Sequence, residues 1–452
     1  MQKIRTAASL LDHSHKLVHL AHTQSQGSHS ICFSDLIMHP HNTGRGRARG
    51  SGSWRGNMRG LPRGTSSSPA RTPQPIPPAL GQQIPWTRLG QIATDETKDT
   101  CAITNVEAVA SYNLLEGLQR TILIPRRPPK WTPPLGEVVM EQDSGDYYRD
   151  ENAARFPMYP LDPAVKAVLH MAPEEVSNLD VFGCGSTLGA LLRFCSGDYH
   201  SFSFVVQMIG HTAFFLRRNK SPTEVIEDIR GYAHKYLETY TTWSKDVKGS
   251  ASNQRIVAYD FGGLRFAVRF EADGYVVGET DEEDEENEGQ SGVALEDDLA
   301  NLLRSASAPT TQEELSTTFR EQGRLVGQDL IVDVKTRAAY KRGAVAIAEQ
   351  LLRLWVRQIQ TLILGFHDRG RFETPEIINV TEKLHAWEAS SQKALARLAA
   401  FISEIKSASQ KHGSIEVRGY ETGTLSFHEL PAVECEKWNA LSDEMQKQWI
   451  AS

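Results

Sequence analysis

The sequence predicts an α/β (α+β) fold in which a mixed central β-sheet is flanked by helices, and three observations lead there. Apolar runs of strand length and composition, among them FSFVVQM, AFFLRR, RIVAYDF, LRFAVRF, DLIVDVKT and TLILGF, recur from residue 202 onward. Between and after them lie stretches with apolar residues at helical spacing, such as Ile347, Leu351, Leu354 and Trp355. A length of 452 residues with 40% hydrophobic content supplies a core for one large domain or two ordinary ones.

Taken in order, residues 1–104 read as a disordered arm. Its segment 44–64 is Arg/Gly-rich, and residues 44–75 hold seven arginines and no acid. Such an arm either solubilises the chain or contacts RNA, its guanidinium groups neutralising phosphates and stacking on bases. Residues 1–43 are weakly amphipathic and His-rich, so a mitochondrial presequence and an imperfect gene start stand as alternative readings of them. Residues 105–409 read as the main globular domain, with an acidic insertion at 279–327, and residues 410–452 as a C-terminal extension packing on it. Eight acids fall within 279–288, so the net charge of −7 hides two opposed segments. Five cysteines with no C-x-x-C pair argue against a zinc knuckle or a disulfide framework. No apolar run approaches the ~20 residues a membrane-spanning helix needs, so no membrane partner is expected.

Within the domain, a helix is expected over Leu161–Met171 and another over Ser186–Cys195, the latter following a turn at Gly183-Cys184-Gly185. Ser221-Pro222 is a good N-cap and first-turn pair, predicting a helix over 221–240. RIVAYDF and LRFAVRFEADGYV flank Gly262-Gly263 as a hairpin. In the insertion a helix is expected around Leu295–Leu303. Strand DLIVDVKT, a helix from Tyr340 to Gln358, strand TLILGF and one long helix from Thr381 to Ser409 complete the order.

The chemistry sits where two of these strands end. Side chains at i and i+2 of a strand share a face, so Glu271 and Asp273 project together, as do Asp333 and Lys335. Three carboxylates and an ammonium converge if the strands are neighbours. Hard cations such as Mg²⁺ and Mn²⁺ take oxygen ligands, usually a few carboxylates with water and substrate phosphate. A single D-x-K pair is ordinarily a solvated strand end, but here apolar runs lead out of a core into both sets. The order acidic helix, E-x-D strand, D-x-K strand, glutamine-bearing helix resembles the PD-(D/E)xK nuclease fold.

Read with their neighbours, five motifs in order resemble the eukaryotic decapping-exoribonuclease family: GYAHKYLE (Gly231–Glu238), RFEADGY, VDVKTR, LLRLWVRQ and LILGFHD. The resemblance covers roughly residues 105 to 375. It implies that Glu238, Glu271, Asp273 and Asp333 are metal ligands for Mg²⁺ or Mn²⁺, directly or through water. It implies that Lys335 and Gln358 contact the scissile phosphate or the nucleophilic water. Catalysis would then rest on Lys335, Gln358, Glu271 and Asp273, and Arg193, in STLGALLRF, would face the 5′-end phosphates with Lys335 and Gln358. The chain departs from the family in its longer Gly-Tyr to Glu spacing, in Asp333 standing where Glu is commoner, in the shorter link between Gln358 and LILGF, and in the acidic insertion.

The expected function is a metal-dependent nuclease that hydrolyses phosphoanhydride or phosphodiester bonds at aberrantly capped or triphosphorylated RNA 5′ ends. Its partners would be the RNA 5′ end and a 5′→3′ exoribonuclease, its location the nucleus, with the cytoplasm as alternative. Two other readings stand beside it: a PD-(D/E)xK DNA endonuclease, and an inactive relative that binds RNA or an exoribonuclease. His234 is read as structural or solvated, the acidic run as a solvated loop, and the Trp355 stripe as core.

Overall fold

Alternating apolar residues build the centre of the molecule, in a computed structural model that describes residues 77–85, 101–117, 120–277, 318–321 and 324–452. The Arg/Gly-rich segment, most of the acidic insertion and the helix expected at Leu295–Leu303 lie outside the described residues. In chain order the principal strands are β1 (Gln82–Gln83), β2 (Thr104–Leu115), β3 (Thr121–Ile124), β4 (Val181–Cys184), β5 (Phe202–Ile209), β6 (Thr212–Arg217) and β7 (Ser250–Phe261). They continue as β8 (Leu264–Ala272), β9 (Gly274–Tyr275), β10 (Thr318–Glu321), β11 (Ile331–Ala338), β12 (Thr361–Asp368), β13 (Ile415–Gly419) and β14 (Leu425–Glu429). The helices that matter below are α1 (Glu151–Arg155), α2 (Asp162–Met171), α3 (Gly185–Cys195), α4 (Ala233–Tyr240), α5 (Ala344–Arg357), α6 (Thr381–Ser390), α7 (Gln392–His412) and α8 (Asp443–Ala451).

One large mixed sheet runs β1-β14-β13-β5-β6-β4-β8-β7-β2-β3-β10. Period-two alternation sends Val206, Val257 and Val268 to one face, where α3, α5 and α7 cover them, and Val205, Ile256 and Ala267 to the other, under α2 and α8. A second sheet places β9, β11 and β12 side by side, with short strands at its margins. Its strands β11 and β12 are parallel, joined through α5, while β9 lies antiparallel to β11. The tight turn between β7 and β8 uses Gly262 and Gly263 at φ 59° and 77°, the left-handed values a two-residue hairpin requires.

Four expectations need correction. The helix predicted over 221–240 forms only as α4, because Val225–Ile226 pairs as a strand with Tyr147–Tyr148 and Gly231 follows. Gly183 and Cys184 belong to strand β4, and the chain passes from Cys184 directly into α3. The helix predicted from Thr381 to Ser409 is two helices, broken at Ser391, which caps both. Residues 410–452 do not merely pack on the domain: β13 pairs with β5, with Ile415 opposite Val206, so β13 and β14 are inner members of the large sheet. Here a short alternating pattern, with Ile415 and Val417 facing the core, outweighs its position near the end of the chain.

Candidate functional site

Glu271-Ala272-Asp273 is the crossing point between the two sheets. β8 leaves the large sheet at Ala272, and β9 joins the second sheet one residue after Asp273, with Gly274 opposite Val332 of β11. Gly274 suits this crossing because a Cβ there would stand 3.1 Å from the Pro129 carbonyl oxygen. The crossing brings the D-x-K strand against the E-x-D strand. Asp273 Oδ2 accepts from the Val334 backbone N–H at 2.8 Å and from Lys335 Nζ at 3.1 Å. Lys335 Nζ also donates to the Val334 carbonyl at 2.7 Å and lies 3.4 Å from Asp333 Oδ1.

Helix α4 closes the same place from above. Gly365 of β12 lets it seat closely, since a Cβ there would lie 2.5 Å from the ring of Tyr236, which is fully buried. That seating puts Glu238 on a cavity of about 640 Å³ whose walls also include Glu271, Asp273, Asp150, Glu151 and Arg357. Glu271 is open to the cavity, yet enough protein surrounds it to disfavour its charge. That enclosure, and then the negative charges of Asp273, Glu151 and Asp150, push its pKa up to about 7, while Arg357 opposes the shift. His234 stacks on Tyr147 with ring centroids 3.8 Å apart, so it serves as an aromatic wall of this cavity.

Asp333 is differently placed. It is 1% exposed, accepts from an Nη of Arg353, and has Arg357 Nη1 at 3.5 Å. Burial pushes its pKa up, but Lys335, Arg353 and Arg357 outweigh that and hold it below the usual carboxylate range. Gln358 does not reach the site. It ends α5 in the left-handed region at φ 52° and turns its amide back onto the Trp355 carbonyl of its own helix. Arg357, one residue earlier, lines the cavity instead.

A second cavity of about 400 Å³ adjoins the first, sharing Arg149, Ser186, Arg217 and Arg357. Arg193 lines it, as do Arg218, Lys220 and Arg353, against a single acid, Glu224. Arg149 is paired with Glu224 at 2.9 Å. Sequence reasoning found Arg193 but missed Arg353 and Arg357, whose four-residue spacing on α5 places them on one helical face and was the available signal. Asp150 and Glu151 were missed too. Asp150 caps α1 by accepting from Ala153 N–H, and it pairs with the buried Arg269.

The fit to a divalent cation is partial. Glu238, Glu271 and Asp273 are hard oxygen donors on one cavity, and Glu271 is raised by burial and then by the neighbouring acids against the opposing pull of Arg357, a setting that suits such an ion. Among the described residues, however, no three carboxylate, histidine or cysteine side chains stand close enough together to hold one.

The sequence model of one protein family, described as a domain of unknown function (DUF8563), matches residues 91–449. The chain belongs to this family. No curated protein matches it. Among solved structures it is similar to S. pombe Rai1, at 13% identity and a TM-score of 0.47, over 75% of this chain and 98% of that one. It is also similar to Candida albicans Rai1 in complex with pU5-Mn²⁺, at 9% identity and a TM-score of 0.48, over 82% and 99% of the two chains. A third is Scheffersomyces stipitis Rai1 in complex with (3′-NADP)⁺ and calcium ion, at 10% identity and a TM-score of 0.49, over 84% and 99%.

Proposed function

We propose that the chain is a divalent-metal-dependent hydrolase of RNA 5′ ends, cleaving phosphoanhydride or phosphodiester bonds. The observation that carries this reading is the junction of the E-x-D and D-x-K strands through Lys335, beside a cavity rich in carboxylates and a second rich in arginines. Glu238, Glu271 and Asp273 would hold a Mg²⁺ or Mn²⁺ ion. When bound, such an ion offsets negative charge on the reacting phosphate and acidifies a water bound to it.

The chain's own residues do the rest. Lys335 Nζ is fixed by Asp273, the Val334 carbonyl and Asp333, so it can orient a water or a phosphate oxygen without rearrangement. Arg193, Arg217, Arg353 and Arg357 offer guanidinium groups to the phosphates that flank the scissile bond. The Arg/Gly-rich segment would add affinity independent of sequence, and this basic arm together with the family resemblance supports residence in the nucleus.

One observation favours a second reading, an RNA-binding protein without turnover: Asp333 is already neutralised by three cations. The full chain incubated with triphosphorylated, capped and monophosphorylated RNA, with Mn²⁺ or EDTA, separates the two. Product should form only with metal and should vanish in Glu271→Ala/Asp273→Ala. Equal behaviour of wild type and variant refutes the enzyme, retention of RNA without product supports the binding reading, and cleavage of duplex DNA alone points to an endonuclease.

A further inference from the structure

The inner half of the site is filled by protein charge. Asp333 points both oxygens at cations: Oδ1 to Arg353 and Lys335, Oδ2 to Arg357. It is 1% exposed and does not line the acidic cavity, whereas Arg357 lines both cavities. Arg357 is also held in place. Its side chain passes over Gly185 at the start of α3, where a Cβ would stand 3.5 Å from its Cγ, and its guanidinium lies 5.7 Å from the centre of the Phe270 ring. From there it reaches Asp333 at 3.5 Å and lines the cavity that Glu271 and Asp273 also line. Both oxygens of Asp333 are thus already taken by cationic partners, so a divalent ion brought against it would have to displace one of them and meet the charge of the others.

Resting on the metal-dependent reading above, we propose that Arg357 is a built-in cation that replaces an ion on the Asp333 side, so that the chain binds a single divalent ion on the Glu238, Glu271 and Asp273 side. Asp333 is then a positioning residue that fixes Arg353, Arg357 and Lys335, not a metal ligand. The guanidinium can neutralise phosphate charge but cannot acidify a water, so the two halves of the site have separate tasks.

Titration of the metal-stripped full chain with Mn²⁺, following free ion by electron paramagnetic resonance, tests this. Wild type should bind one Mn²⁺ per chain. Asp333→Asn should keep that stoichiometry, with affinity weakened by no more than about tenfold, the lower range for loss of an indirect partner. Arg353→Gln/Arg357→Gln, which strips Asp333 of two partners, should bind a second ion. Thermal unfolding of each variant checks that it is folded, and if Asp333→Asn is not, the arginine pair decides alone. Two ions in wild type, none in a folded Asp333→Asn, or a single ion in the arginine variant overturns the proposal. No Mn²⁺ bound by wild type overturns it together with the metal-dependent function.

Discussion

The two halves of the site hold the same kind of group in opposite electrostatic conditions. Glu271 lines the acidic cavity without an ion-pair partner among the described residues, and its enclosure by protein, then the charges of Asp273, Glu151 and Asp150, hold its proton up to about 7. Asp333, whose strand runs beside the E-x-D crossing, is shut away from water and surrounded by Lys335, Arg353 and Arg357. The first arrangement has negative charge in excess and suits an added cation. The second has its cations built in, so that removing one partner would leave buried charge uncompensated. A carboxylate's sequence motif therefore does not settle its role, which follows from the charges folded around it.

Breaking the acidic half should cost the most. Glu271→Ala/Asp273→Ala should lower turnover of 5′-end substrates by on the order of a thousandfold in protein that still unfolds cooperatively, checked by kinetics and calorimetry on one preparation. Breaking the other half should show the converse. Asp333→Ala strands two arginines and a lysine and should lose about 3–5 kcal/mol of unfolding free energy in urea titrations; an unchanged midpoint would mean the cations do not depend on it. Gly365→Ala, which pushes Tyr236 and with it α4, should cost about 1–3 kcal/mol and weaken metal affinity through Glu238.

Acidity sharpens the contrast further. Because Glu271 holds its proton up to about 7, an incoming ion must displace that proton below this pH. Mn²⁺ affinity should then rise by roughly tenfold per pH unit between pH 5 and 7 and level off above, by calorimetry in buffers of different ionisation heat. In the absence of metal the sign reverses for stability: the raised carboxylate favours the fold at low pH and loses that contribution as pH climbs through 7. The smallest effect is expected at the far wall of the basic cavity. Arg193→Glu should raise KM for triphosphorylated RNA about tenfold with kcat little changed, and high salt should erase part of the difference.

Much of the fold was legible because it rests on short-range patterns. The Gly262-Gly263 hairpin, the D-x-K strand and the helix carrying Trp355 each announce themselves by alternation, turn residues or a 3.6-residue stripe. The candidate site was legible where it lies along strands, which is why Asp273, Asp333 and Lys335 converge as expected. What was lost depended on the ends of elements and on long-range charge. Gln358 and Arg357 are neighbours in sequence, and only the left-handed termination of α5 decides that the arginine enters the site and the glutamine leaves it. The withdrawal of Asp333 into an ion-pair cluster needs two side chains about 20 residues away on α5, a relation that no local pattern encodes.

The seating of β13 beside β5 has a bearing on how the protein is made. On the ribosome, β5 must wait for a neighbour roughly 200 residues downstream, about ten to forty seconds at ~5–20 residues per second. Through that interval the nascent sheet carries an open edge rich in Phe and Val, the kind of surface that holdase chaperones shield.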